Sequence, residues 1–367
     1  MKEFRHIMMI FALVALAAGC SKVEVVNTPE REISFTVGSY APATKAVAVT
    51  EFTSFSSKGY LHAEGIDGTQ DFFGAAGETI TFNGTDTWAP SHPYYWPKGE
   101  SSYINFISWY ANDGTNDIVP NTVSETAFEI VGRTIGANDN ILIADAAWHY
   151  KENTNNGTQY TGDVITSGVP TLFHHVLSRV QINVRATTAV DPSNANVTYE
   201  VSIQSARLEG IYQTGTMSLA NTEMSSTGTS AWVSANNNNL LWSAVGNAEN
   251  VAVVSSNTIP PLSTTATEIL PVRSFMPQTL GDDVKLVITY TITTKSGNTV
   301  TSTESNIPAT IVLNIIKNAS DIEITEWAPN KIYTYNIAIN PVGDPILIEP
   351  AVEANWSENN NFSVVVE

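Results

Sequence analysis

The residues of this chain that could do chemistry are few, and their spacing sets none of them apart. There are six histidines, His6, His62, His92, His149, His174 and His175, with no HExxH or His-x-His pair among them. Adjacent residues on a strand point to opposite faces, so His174 and His175 cannot readily share a metal ion. Asp67-Gly-Thr-Gln-Asp71 and Asp113-Gly-Thr-Asn-Asp117 place paired carboxylates in glycine-containing loops, a donor type suited to calcium. Neither has EF-hand spacing, and Asp-Gly pairs are also ordinary turn residues. Asp282-Asp283 opens a strand and reads as loop charge. A nucleophile elbow, a phosphate-binding loop and a dinucleotide fingerprint are all absent from the sequence. The chain is therefore not expected to be an enzyme, and no cofactor or metal is expected.

Two positions have a chemistry of processing rather than catalysis. Cys20 is the only cysteine, which excludes an intrachain disulfide and a cysteine metal cluster. Lys2 and Arg5 precede an uncharged run, Ile7 to Gly19, that ends in Leu-Ala-Ala-Gly before Cys20. This is the order of a signal peptide, and the run is shorter than the roughly 20 residues that span a bilayer. Small residues before a lone cysteine resemble a bacterial lipobox, so Cys20 is expected to carry the lipid and residues 1–19 to be removed. Lys45, in Thr44-Lys45-Ala46, sits between the first and second predicted strands. A loop there would expose the Lys45–Ala46 bond to a trypsin-like protease.

The aromatic residues offer a binding chemistry. Trp88, Tyr94, Tyr95 and Trp96, interleaved with prolines, could form a flat platform for the C–H face of a sugar. Such rings more often bury their large area in a core, and packing is the favoured reading.

The elements that must position these residues are β-strands. Charged residues make up 14% of the chain, against about 25% in ordinary domains. Ser, Thr, Asn and Gly take their place, as in extracellular β proteins. A formal charge of −19, from 17 basic and 36 acidic residues, argues against nucleic acid as a partner, because phosphate binding needs Lys and Arg. The length suggests two domains. Central to the chain is Leu172 to Ala186, where Val176, Val180, Ile182 and Val184 alternate with Arg179, Gln181, Asn183 and Arg185. That period of two marks a strand with one dry face, read here as the strand that closes the first domain. The expected organisation is a tether over 20–31, a first β-sandwich over 32–186, a second over 197–340, and a tail over 341–367. Short strands are predicted at Ile33–Val37, Tyr60–Ala63, Thr79–Phe82, Tyr103–Tyr110, Ala127–Val131 and Ile141–Ala144. After the polar Thr187–Asn196 joint come Val197–Leu208, Gly215–Leu219, Val251–Val254, Val284–Thr293, Thr310–Leu313 and Lys331–Ile339. Fully extended, the tail could reach about 90 Å at ~3.3 Å per residue. Its closing run, Phe362-x-Val364-x-Val366, matches the first strand, Ile33-x-Phe35-x-Val37, as an apolar triplet at alternate positions.

With these elements laid out, the chain resembles the fimbrillin family of Bacteroidales, in its Mfa-like branch. The resemblance rests on the lipobox at Cys20, Ile33-Ser-Phe35 followed by Ala43-Thr-Lys45-Ala46, and Tyr94-Tyr-Trp-Pro. Further motifs are Phe173-His-His-Val-Leu-Ser-Arg179-Val, Phe275-Met-Pro-Gln and Trp327-Ala-Pro-Asn-Lys331-Ile-Tyr-Thr-Tyr-Asn336-Ile. It implies an exported lipoprotein of two transthyretin-like β-sandwich domains in tandem that acts as a stalk or tip subunit of an adhesive surface fimbria. It also implies polymerisation by strand exchange with other pilin subunits. A protease cuts beyond the first strand, here at Lys45–Ala46; the strand bearing Ile33, Phe35 and Val37 leaves, and a donor such as Phe362, Val364 and Val366 replaces it. The best-known members are cut after arginine, whereas Arg31 of this chain precedes the first strand. Two alternatives remain at this stage, a monomeric glycan-binding surface lipoprotein and an anchor subunit that keeps its lipid in the outer membrane.

Overall fold

The computed structural model describes residues 32–39, 52–84, 87–97, 102–144, 147–151, 154–155, 168–220, 240–255, 259–343 and 346–356. Among them every regular element is a strand except one 3-10 turn, Leu313–Ile315. The all-β expectation holds.

In the first half, hydrogen bonding runs from Tyr103–Asn112 through Asn140–Ala144, Val169–His175, Phe35–Ser39, Trp88–Pro90 and Glu78–Phe82 to Ser54–His62. Ser54–His62 then pairs with Tyr103–Asn112, from Ser56 opposite Trp109 to His62 opposite Tyr103. The sheet closes on itself as a ring of seven staves. Closure gives every stave a partner on both flanks, and the alternation of side chains sends every second one inward. Phe35, Phe55, Ile80, Trp88, Phe106 and Phe173 meet there in a single buried cluster.

The second half is a sandwich of two sheets. One orders Thr267–Phe275, Ser178–Ala186 and Lys331–Ile339; the other joins Asn194–Ile211, Lys285–Ser296 and Thr299–Val312. Val180, Ile182 and Val184 of the first sheet share a core with Leu286, Ile288 and Tyr290 of the second. Lys285–Ser296 and Thr299–Val312 form a hairpin, with Gly297 at φ +59° in its turn.

Ser178–Ala186 has the predicted faces but not the predicted neighbours. Rather than closing the first half, it pairs in parallel with Lys331–Ile339, Ser178 opposite Lys331 through Ala186 opposite Ile339. Its other edge pairs with Thr267–Phe275. A parallel partner is reached only through a long crossover, so periodicity fixes a strand's faces without naming its neighbour. The polar face confirms the pairing: Asn183 Nδ2 donates to Asn336 Oδ1 at 3.1 Å and Thr334 Oγ1 to Gln181 Oε1 at 3.2 Å. A third cluster joins Trp109, Phe128 and Ile130 to Met217, Leu219, Ile332 and Trp356. Side chains from both halves of the sequence thus share one core.

Candidate functional site

The first strand is the stave with unequal flanks. Ile33 and Phe35 are each 2% exposed, and Val37 packs against the same cluster. The Phe35 ring lies edge-on to Phe55 at 5.7 Å and to Phe106 at 5.5 Å, the geometry that aromatic quadrupoles prefer. On one flank Phe35–Ser39 runs parallel to Val169–His175 over five register pairs, Phe35 opposite Val169 through Ser39 opposite Phe173. On the other, the register with Trp88–Pro90 is the single pair Phe35 and Trp88. That flank is completed by Ile33 N donating to Tyr94 O at 2.7 Å and an isolated bridge between Glu32 and Tyr95.

The candidate sugar platform is not presented. Trp88 and Trp96 are 6% and 5% exposed, and Tyr95 is 40% exposed. Trp88 packs on Phe52, Phe55 and Phe82, Trp96 meets Phe106 edge-on, and Tyr94 meets Phe73 at 4.7 Å. Trp88, Trp96 and Tyr94 pack into the ring core, and Tyr95 alone of the four is exposed. Glu78 ties this loop down, accepting from Ser91 Oγ at 2.7 Å and from Tyr94 OH at 2.9 Å. Burial pushes the Glu78 carboxyl up, but the hydrogen bonds from Ser91 and Tyr94 outweigh it and hold the group below its ordinary value.

The expected tail divides at Trp356. Ile346–Ile348 and Val352–Asn355 both pair with Lys331–Ile339, and Trp356 is 2% exposed. Its ring stacks on His175 at 3.8 Å and 9°, and the Arg179 guanidinium lies 4.0 Å from its centroid. Two groups so close to one ring centre must take opposite faces, so Trp356 is clamped between them. The described residues Ile346 to Trp356 therefore belong to the fold. Phe362, Val364 and Val366 lie outside the described residues, as do Cys20, Lys45 and Ala46. Among the described residues, no group of three or more His, Cys, Asp or Glu side chains is placed to hold a metal. Asp113 Oδ1 instead accepts from the backbone of Thr115 and Asn116, capping its own turn.

A family profile described as fimbrillin-like matches residues 57–356. The chain belongs to the fimbrillin-like family. No curated protein sequence matches it. Among solved structures, a fimbrial protein from Bacteroides vulgatus is 15% identical with a TM-score of 0.48, over 89% of this chain and 100% of that one. The C-terminally truncated tip fimbrial protein Mfa3 from Porphyromonas gingivalis is 9% identical with a TM-score of 0.38, over 89% and 100%.

In this fimbrillin-like chain the candidate site is the first strand and the slot that holds it. Three features of the structure had no signal in the sequence: the Glu78–Tyr94 tie, the Trp356 clamp and Gly168. Gly168 has φ +79°, and a Cβ there would lie 2.9 Å from the carbonyl carbon of Phe35. Alanine at this position would be both strained and wedged against the first strand. Gly168→Ala is expected to cost about 1–2 kcal/mol and to speed amide exchange in 32–39. Exchange there equal to the parent's would refute the wedge.

Proposed function

We propose that this chain is a structural subunit, stalk or tip, of an adhesive cell-surface fimbria. It is exported as a lipoprotein on Cys20, cut at Lys45–Ala46 and assembled by strand exchange. One observation carries the reading: a buried apolar strand completes a closed ring yet has a single register pair on one flank. Removing it would open the ring and leave the inner faces of Phe55, Phe106 and Phe173 bare, an arrangement that favours capture of another extended segment. The partner is another pilin subunit. Residues 357–367 of that neighbour supply the donor, since fully extended they could reach about 36 Å beyond Trp356 at ~3.3 Å per residue. The glycan-capture alternative loses its support with the burial of Trp88 and Trp96.

Deleting residues 362–367 should leave a folded monomer that cannot extend a fibre; fibres of normal length from this variant would sink the proposal. Intact mass of the protein recovered from the cell surface locates the cut. An N-terminus at Ala46 marks a subunit that has lost its first strand. A lipidated Cys20 in all of the protein marks an anchor subunit that retains it.

A further inference from the structure

A stave sealed into a ring can leave only if one flank opens, and here the flanks differ in strength. Opening the side of Val169–His175 breaks the pairing at five register positions. Opening the other side breaks one register pair with Trp88, the Ile33–Tyr94 hydrogen bond and the Glu32–Tyr95 bridge. Each backbone hydrogen bond lost without replacement adds to the barrier, so the second side is the easier to open.

We propose that the loop Ser91–Tyr95 is the gate through which the first strand leaves and its replacement comes in, and that Glu78, acting through Tyr94, holds this gate shut. The inference rests on the strand-exchange reading, and it makes Glu78 and Tyr94 positioning residues. Glu78 begins the strand Glu78–Phe82 and shares the inward face with Ile80, which is fully buried. Its side chain is 11% exposed, with His92 Nδ1 3.8 Å from Oε2. Both carboxylate oxygens are used: Oε1 accepts from Ser91 Oγ and Oε2 from Tyr94 OH. Hydrogen bonds to a charged acceptor are the stronger kind, so the loop is tied at both ends by one anion. Tyr94 passes the tie on, because its carbonyl holds Ile33 N at 2.7 Å and its ring packs on Phe73 and Phe72. Apart from the Ile33–Tyr94 hydrogen bond, Ser91–Tyr94 lies outside every strand and has no ladder partner among the described residues, so releasing Glu78 frees the loop without dismantling the sheet.

Amide exchange on the purified full-length protein tests the gate. Glu78→Ala and Tyr94→Phe should each speed exchange in 32–39, by about tenfold for the carboxylate, while 178–186 exchanges as in the parent. Tyr94→Phe keeps the ring and removes only the hydroxyl, so it covers the case in which Glu78→Ala folds poorly. Unchanged exchange in 32–39, or equal acceleration in both stretches, overturns the gate. Fibre growth after cleavage, followed by electron microscopy on the parent, is scored separately. Fibres from the parent with unchanged exchange in the variants refute the gate alone. Faster exchange in the variants with no fibres from the cleaved parent refutes strand exchange and leaves the clasp standing.

Discussion

Phe35→Ala is expected to strip the first strand from its ring without unfolding the molecule. Phe35 is 2% exposed and touches the rings of Phe55 and Phe106 edge-on. Truncating a buried phenylalanine costs about 3–5 kcal/mol, from lost transfer energy and the cavity left behind. A strand paired at one register position on one flank can avoid that cost by detaching, so the loss appears as local opening. Residues 32–39 should lose protection from amide exchange, and trypsin should remove the first strand from Phe35→Ala much sooner than from the parent. Meanwhile 178–186, in a different sheet, stays protected. Uniform loss of protection would show that the strand is an inseparable part of the fold and would count against exchange. Under the strand-exchange proposal, the same socket sets how a donor would lie. Of the three side chains in each triplet only one is aromatic, Phe35 in the first strand and Phe362 in the tail. Matching them places Val364 where Val37 lies. A peptide of residues 357–367 with Phe362→Ala should therefore bind the opened ring at least about a hundredfold more weakly than the native peptide.

What the sequence showed and what it hid divides by range. Alternation is local, and it placed Val180, Ile182 and Val184 on a fully buried face and Ile33 and Phe35 in a core. It failed where both faces are wet. Only Thr310–Leu313 was expected of a strand that begins at Thr299, because residues 299–306 are exposed on both sides and offer no dry face to detect. Thr267–Phe275 was missed because Pro271 interrupts it. The proline is tolerated there because the strand is at the edge of its sheet and the register with Ser178–Ala186 shifts between Val180 and Ile182. Pairings between distant segments were not legible. Asn183 meets Asn336 across a separation of 153 residues, and a lone Glu78 at a strand start reads as a solvated charge until Tyr94 is brought to it. The tail looked free for the same reason: Pro345, Pro350 and the asparagines suggest a loop, and nothing local says that Trp356 has a socket.

Trp356→Ala should release the C-terminal strap, and the release should be mimicked in part by acid. The ring is 2% exposed between the Arg179 guanidinium and the His175 imidazole. Truncation costs about 3–5 kcal/mol for the buried tryptophan, with the cation–π contact included in that loss. Residues 346–356 pair with Lys331–Ile339 at the edge of the sheet and are held besides by Ala351 N donating to Lys317 O and by the Arg185–Glu349 ion pair. As an edge segment they should open first, which a lower urea midpoint and faster exchange in 346–356 would record. The pH dependence follows from His175. Burial, then the charges of Arg179 and His174, hold its imidazole well below the ordinary value of 6.5. It is therefore neutral in the folded chain and takes up a proton more readily when unfolded. Its contribution to stability is complete above about pH 6.5 and falls as the pH drops below that value, at up to about 1.4 kcal/mol per pH unit for one proton. His175→Gln removes the titrating group, so the fall in urea midpoint between pH 6.5 and 5 should be shallower in this variant than in the parent. Parallel curves would mean that the acid sensitivity belongs to other groups, and the clamp on Trp356 would then be one of packing alone.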